Sequence, residues 1–193
     1  MHKKDIEKYC PKSRAEWRSW LEKNHQSKHS VWLVYYKTST KTPSLSWSHA
    51  VDEAVCFGWI DSTKKTIDNE KYMQYFCKRK PKSNWSKVNK EKVKTLIEQG
   101  LMKKAGFDSI KIAKENGSWS FLDTVEALEI PEDLKREFTN YEGSFKYFEN
   151  LSKSSKKILL YWVVSAKRKE TRQKRIIEIA ENASQKMKPK QFR

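Results

Sequence analysis

Trp59-Ile60-Asp61-Ser62-Thr63-Lys64-Lys65-Thr66-Ile67 passes through Asp68-Asn69-Glu70 into Lys71-Tyr72-Met73-Gln74-Tyr75-Phe76-Cys77-Lys78-Arg79. The two outer runs read as strands, and the Asp-Asn pair between them favours a turn. The stretch therefore predicts a β-hairpin. Alternation on its second arm puts Tyr72, Gln74, Phe76 and Lys78 on one face and Met73, Tyr75, Cys77 and Arg79 on the other. Lys78 and Arg79 should then project to opposite sides at the strand end. A third strand is expected at Val31–Tyr36, an apolar and aromatic run that reads as buried on both faces.

Helical signals surround these strands. Ser13-Arg14-Ala15-Glu16 has capping-box spacing, and Trp17, Trp20 and Leu21 then share one helical face, so 14–24 reads as a helix. A second helix is expected over 46–57, ended by Gly58. Pro81 breaks the last strand. Beyond it, one helix should end at Gly100 and another should run over 103–116, stopped by Gly117. From Pro131 onward all signals are helical, with the longest element expected from Ser152 towards Asn182.

The fold class that follows is α+β: a small, mostly antiparallel sheet of about three strands with flanking helices, followed by an all-helical C-terminal region. The expected division is an α+β domain at 1–117, a connector at 118–130, a helical domain at 131–185 and a frayed basic tail at 186–193. The connector is not Gly/Ser-rich, so the two parts are expected to pack together.

Composition excludes several classes. In 193 residues, 37% are hydrophobic and 12% aromatic, too rich for a disordered chain. The longest apolar run, Ile158 to Val164, is far too short to span a bilayer. Met1-His2-Lys3-Lys4-Asp5 has no apolar core of a secretory leader. Cys10, Cys56 and Cys77 are odd in number and form no CxxC, which fits reduced, buried thiols in a cytosolic protein.

The net charge of +17 is concentrated. Residues 62–104 hold 13 basic and 4 acidic side chains, a net of +9, and residues 152–193 hold 13 and 3, a net of +10. Either lysine drift or a focused anion site produces such blocks. The first block contains Lys78-Arg79-Lys80-Pro81-Lys82-Ser83-Asn84-Trp85-Ser86-Lys87-Val88-Asn89, which leads into a helix N-terminus. Arg79, Ser83, Trp85 and Asn89 offer a bidentate cation, neutral donors and a stacking ring, a mixture suited to phosphate. The bland alternative is a capping loop anchored by a buried Trp85. In the second block Arg168, Arg172 and Arg175 fall on one helical stripe beside Lys167. Their repulsion calls for an external anion or for pairing with the acidic stretch Asp123–Glu149, and both readings stand.

No metal-ligand cluster, phosphate-binding loop, dinucleotide fingerprint or nucleophile elbow is present, so neither metal nor cofactor is expected. His25 and His29 could share a helix face but read better as loop polars. Asp61, beside Trp59 and ahead of Lys64-Lys65, is the one candidate acid or base. A capping or salt-bridged role is its ordinary alternative.

Several of these residues carry a resemblance. Phe57-Gly58-Trp59-Ile60-Asp61, Arg79 with Pro81, Ser83 through Asn89, Gly100-Leu101-Met102 and Gly106 resemble the body of the bacterial YdeI/OmpD-associated family, labelled bacteriocin-protection. Ser165-Ala166-Lys167-Arg168, Thr171-Arg172 and Arg175 resemble its C-terminal domain, beginning near Pro131. The resemblance implies no reaction and no cofactor. Three functional readings result. The first is a module binding an anionic partner, nucleic acid or a small phosphorylated or carboxylated molecule, through Trp59, Asp61, Arg79, Ser83, Trp85, Asn89, Lys167, Arg168, Arg172 and Arg175. The second is an enzyme using Asp61. The third is a stress-linked interaction protein with Val31–Tyr36 as an exposed edge.

Overall fold

The computed structural model describes residues 6–193; Met1–Asp5, read above for a leader, lies outside them. Four strands form one sheet: β1 (Lys8–Tyr9), β2 (Ser30–Tyr36), β3 (Trp59–Thr66) and β4 (Lys71–Lys78), in the order β1-β2-β4-β3. β3 and β4 make the expected antiparallel hairpin, with Ile60 opposite Cys77 and Thr66 opposite Tyr72. Asp68 builds its turn, its Oδ1 accepting the N–H groups of Glu70 and Lys71, both at 2.7 Å. β2 pairs antiparallel with the other edge of β4, setting Trp32 opposite Tyr75 and Tyr35 opposite Tyr72. The fourth strand, β1, runs parallel to β2 and is two residues long. So short an element has no alternation to read.

Helices α1 (Arg14–Asn24) and α2 (Trp47–Cys56) begin at Ser13 and Ser46, whose hydroxyls accept N–H groups from Glu16 and His49. Trp17, Leu21, Ala50 and Ala54 join Val31, Leu33, Tyr35 and Phe76 of the sheet in one core. The core also takes in Glu53, only 2% exposed and bonded by Arg14 Nε at 2.5 Å and Arg18 Nη1 at 2.6 Å. Two expectations for 31–36 need correction. The strand is buried on one face only: Val31, Leu33 and Tyr35 point inward, while Trp32, Val34 and Tyr36 are half-exposed. Nor is its free edge bare. β1 pairs with Trp32 and Leu33, and the Tyr36 N–H donates to Ser44 Oγ at 3.1 Å.

Helices α3 (Lys87–Glu98) and α4 (Lys104–Glu115) complete this unit, which covers the described residues up to Ser120. Of the three thiols expected to be buried only Cys56 is; Cys77 is half-buried and Cys10, on the short edge segment before α1, is exposed. Two glycines decide where α4 lies. Gly58 ends α2 with φ +71, and a Cβ there would stand 2.7 Å from the Ala105 carbonyl oxygen. A Cβ on Gly106 would stand 2.4 Å from the Cys56 carbonyl oxygen.

The second unit, residues 121–193, contains α5 (Asp123–Glu126), α6 (Glu132–Phe138), α7 (Ser144–Glu149), α8 (Lys153–Val164) and α9 (Lys169–Ser184). Leu134, Phe148, Leu160, Val163, Ile176 and Ala180 lie in its core. The long helix expected from Ser152 to Asn182 is two helices, broken at Ser165–Arg168. The break lets α9 return against the end of α8. Arg175 Nη1 donates to the Trp162 carbonyl at 2.5 Å and to Ser165 Oγ at 3.2 Å, and Arg172 Nη1 reaches the Val163 carbonyl at 3.4 Å. Cations on carbonyls left open at a helix C-terminus are favourable. The stretch expected to fray is held as well: Phe192 stands 5.3 Å from Trp162, edge to face. No helix among the described residues is long and apolar enough to cross a membrane.

Candidate functional site

β4 ends at Lys78, and the next residue turns into the body of the unit. The Arg79 N–H donates to the Gly58 carbonyl at 2.9 Å, which fixes the backbone there. Its guanidinium lies over the Trp85 ring, with Cζ 3.7 Å from the centroid, and Nη1 donates to the Asn84 carbonyl at 3.1 Å. Trp85 forms a floor, 1% exposed, its backbone N–H donating to the Ser118 carbonyl at 3.3 Å and its ring packed 5.0 Å from Trp119. Arg79 Nε and Nη2 and Trp85 Nε1 are buried and meet no acceptor among the described residues. Such groups are uncommon, because an unmade hydrogen bond at a desolvated donor costs about 1–3 kcal/mol. Burial pushes the guanidinium down to about 10, and the charge of Asp61 only partly opposes this.

Arg79 lines two clefts. The larger, about 790 Å³, also takes in His29, Asp61, Tyr75, Ser83, Asn84 and Asn89. The smaller, about 430 Å³, is bounded by His25, Gly58, Trp59 and Asp108. Lys78 and Lys80 border both. Asp61 is held in position: its Oδ2 accepts from Trp47 Nε1 at 2.9 Å and Gln74 Nε2 at 3.0 Å, and Gln74 Nε2 also donates to the Ser62 carbonyl at 2.8 Å. The larger cleft therefore carries a positioned carboxylate, a desolvated guanidinium and neutral polar groups. Its chemistry suits an anionic group together with a hydrogen-bond donor.

The structure gathers Asp61, Arg79, Ser83 and Asn89 around the larger cleft, puts Trp59 in the smaller one and lays Trp85 beneath Arg79. Lys167, Arg168, Arg172 and Arg175 belong to the second unit. There Arg172 Nε and Nη2 pair with Asp133 at 2.6 and 2.9 Å, holding that carboxyl below the usual range by hydrogen bonding and charge. Arg175 lies 5.2 Å from the Trp162 ring centroid, whereas Lys167 and Arg168 are exposed. Of the two alternatives left open for the stripe, internal engagement is what Arg172 and Arg175 adopt. His25 and His29 share no helix face, because α1 ends at Asn24. No group of three metal-ligating side chains occurs among the described residues.

Sequence reading missed Trp47, Gln74 and His29. Gln74 had a signal, an amide between Tyr72 and Phe76 on the inward face of a strand. Trp47 had none, since only the packing of α2 on β3 brings it to Asp61.

Residues 9–109 match a family described as a domain of unknown function, DUF8412. Residues 127–186 match the family described as bacteriocin-protection, YdeI or OmpD-associated. The chain is a DUF8412 protein with a YdeI/OmpD-associated C-terminal region. The clefts around Arg79 are lined by residues of the DUF8412 match, together with Ile112 beyond its end. Arg168, Arg172 and Arg175 fall in the OmpD-associated one. The two blocks of residues that resembled one family thus divide between two. No curated protein and no solved structure matches the chain.

Proposed function

We propose that the DUF8412 unit is a cytoplasmic binding module for an anionic ligand, and that the anion docks at Arg79. One observation carries this reading: a stacked guanidinium–indole pair with three buried donors and no acceptor. A phosphate or carboxylate oxygen supplies what Arg79 Nε and Nη2 lack, and a charged hydrogen bond to guanidinium is worth more than a neutral one. Nε and Nη2 are shielded from solvent, so binding includes a local rearrangement of the cleft lining. Asp61 accepts a donor group of the same ligand, and Ser83 and Asn89 add neutral contacts.

Isothermal titration with inorganic phosphate, sulfate and acetate tests the reading. The wild-type protein should bind at least one of them, and Arg79→Met should bind none. No heat from the wild-type protein, or equal binding by the variant, would overturn it. The role of Asp61 is separable. Asp61→Asn should leave inorganic phosphate binding in place, because that probe brings no obligatory donor.

A further inference from the structure

We infer that the ligand is single-stranded nucleic acid, with bases stacked on the open face of the sheet and one backbone phosphate in the Arg79 cleft. The inference rests on the cleft reading for that phosphate. Helices α1 and α2 pack on the face carrying Val31, Leu33 and Tyr35. Strand pairing sets the opposite side chains of β2 and β4 together on the other face. Trp32 meets Tyr75 edge-on at 5.1 Å, and Tyr36 lies beside Lys71, whose Nζ is 4.9 Å from the ring centroid. Lys65 Nζ stands 4.9 Å from the Trp32 ring, and Lys8 is paired next to Trp32 on β1. Trp32, Tyr36 and Tyr75 are half-exposed and take no part in the buried core.

The paired positions of β2 and β4 on this face include no carboxylate. An anionic occupant with flat faces matches both the cations and the rings. Extended single strands meet both conditions: each base has a π-face, each linkage a charge, and proteins that bind them combine aromatic platforms with cations. A duplex keeps its base faces stacked internally. An acidic protein partner meets the charge requirement but not the stacking one. Continuity with the cleft supports a single path, because Tyr75 lines the larger cleft together with Arg79. Lys8, Lys65 and Lys71 by the rings and Lys78, Arg79 and Lys80 at the cleft have the complementary sign along that path.

The test is fluorescence anisotropy of the full chain with fluorescein-labelled oligouridylate of about 12 nucleotides, a length within the usual site range. The same strand annealed to oligoadenylate provides the duplex arm. The single strand should bind at least about tenfold more tightly than the duplex. Trp32→Ala and Tyr75→Ala should each weaken binding by roughly tenfold, and Trp32→Phe should retain most of it. Lys65→Gln with Lys71→Gln should flatten the salt dependence, an effect that loss of a ring alone does not produce. Equal affinity for strand and duplex, or Trp32→Ala binding like wild type with Lys65→Gln/Lys71→Gln also unchanged, would overturn the inference. If oligouridylate fails while inorganic phosphate still binds, the inference falls and the cleft reading stands. If both fail, both fall.

Discussion

Replacing Arg79 by Met should leave the ligand-free protein at least as stable as wild type and should abolish its response to anions. Burial depresses the guanidinium to about 10, which corresponds to about 3 kcal/mol against the charged form at neutral pH. Against this stand one charged hydrogen bond to the Asn84 carbonyl, worth about 1.5–3 kcal/mol, and the contact with the Trp85 face, worth about 0.5–2 kcal/mol. The opposing effects are of similar size. Met preserves most of the apolar stem against Trp85 and carries no donor to leave unpaired. In an anion-free buffer at pH 8, the expected change runs from zero to about 1 kcal/mol in favour of Arg79→Met, or up to about 4 °C in Tm for a unit of this size. Phosphate at about 100 times its Kd should then raise wild type by about 2.7 kcal/mol and leave the variant unmoved, reversing their order. A depressed cation destabilises the fold below its folded pKa, and the cost is relieved only as pH rises through about 10. Arg79 itself therefore adds no pH dependence between pH 7 and 9. Differential scanning calorimetry with and without phosphate reads all of this. A loss above about 2 kcal/mol for Arg79→Met in anion-free buffer, or equal phosphate shifts for both proteins, would refute the reasoning.

Other outcomes follow from the same geometry. Glu53→Ala removes the buried carboxylate that the partly exposed Arg14 and Arg18 both reach and should cost about 1–3 kcal/mol in urea unfolding, with Glu53→Gln losing less. Gly106→Ala drives a methyl group into the Cys56 carbonyl and should cost at least about 1–3 kcal/mol, seen as a lower urea midpoint. Asp133 is held below its ordinary range by Arg172, so its contribution is full above about pH 4 and is lost as pH falls through the folded value. Asp133→Asn should accordingly lower stability at neutral pH, and the difference from wild type should vanish in acid titration. Trp47→Phe removes one bond to Asp61 from a residue 48% exposed. It should change stability by less than about 1 kcal/mol, measured by thermal unfolding.

Local patterns fixed most of the elements. The Asp68 turn, the serine caps of α1 and α2 and the glycine ending α2 each depend on residues within a few positions of one another. Such features are legible because short-range hydrogen bonds and φ preferences need no distant partner. Alternation along β4 likewise sorted its faces before any packing was known. The concentration of charge in 62–104 and the mixed donors from Arg79 to Asn89 marked the region where the cleft lies.

Three matters were decided only in the folded chain. The continuous helical signal from Ser152 to Asn182 hid a break, because closing α9 on α8 gains core contacts and carbonyl partners that no local propensity contains. Val31–Tyr36 reads as buried on both sides, yet helices pack on only one face, so the exposure of Trp32 depends on where α1 and α2 settle. The two arginine-containing segments look alike as sequence. Tertiary contacts supply Arg172 with Asp133 and Arg175 with the end of α8, and they strip Arg79 of water without giving Nε and Nη2 an acceptor among the described residues. Charge is written residue by residue. Whether a charge is satisfied depends on desolvation and on partners far away in the chain, and both arise only when the chain folds.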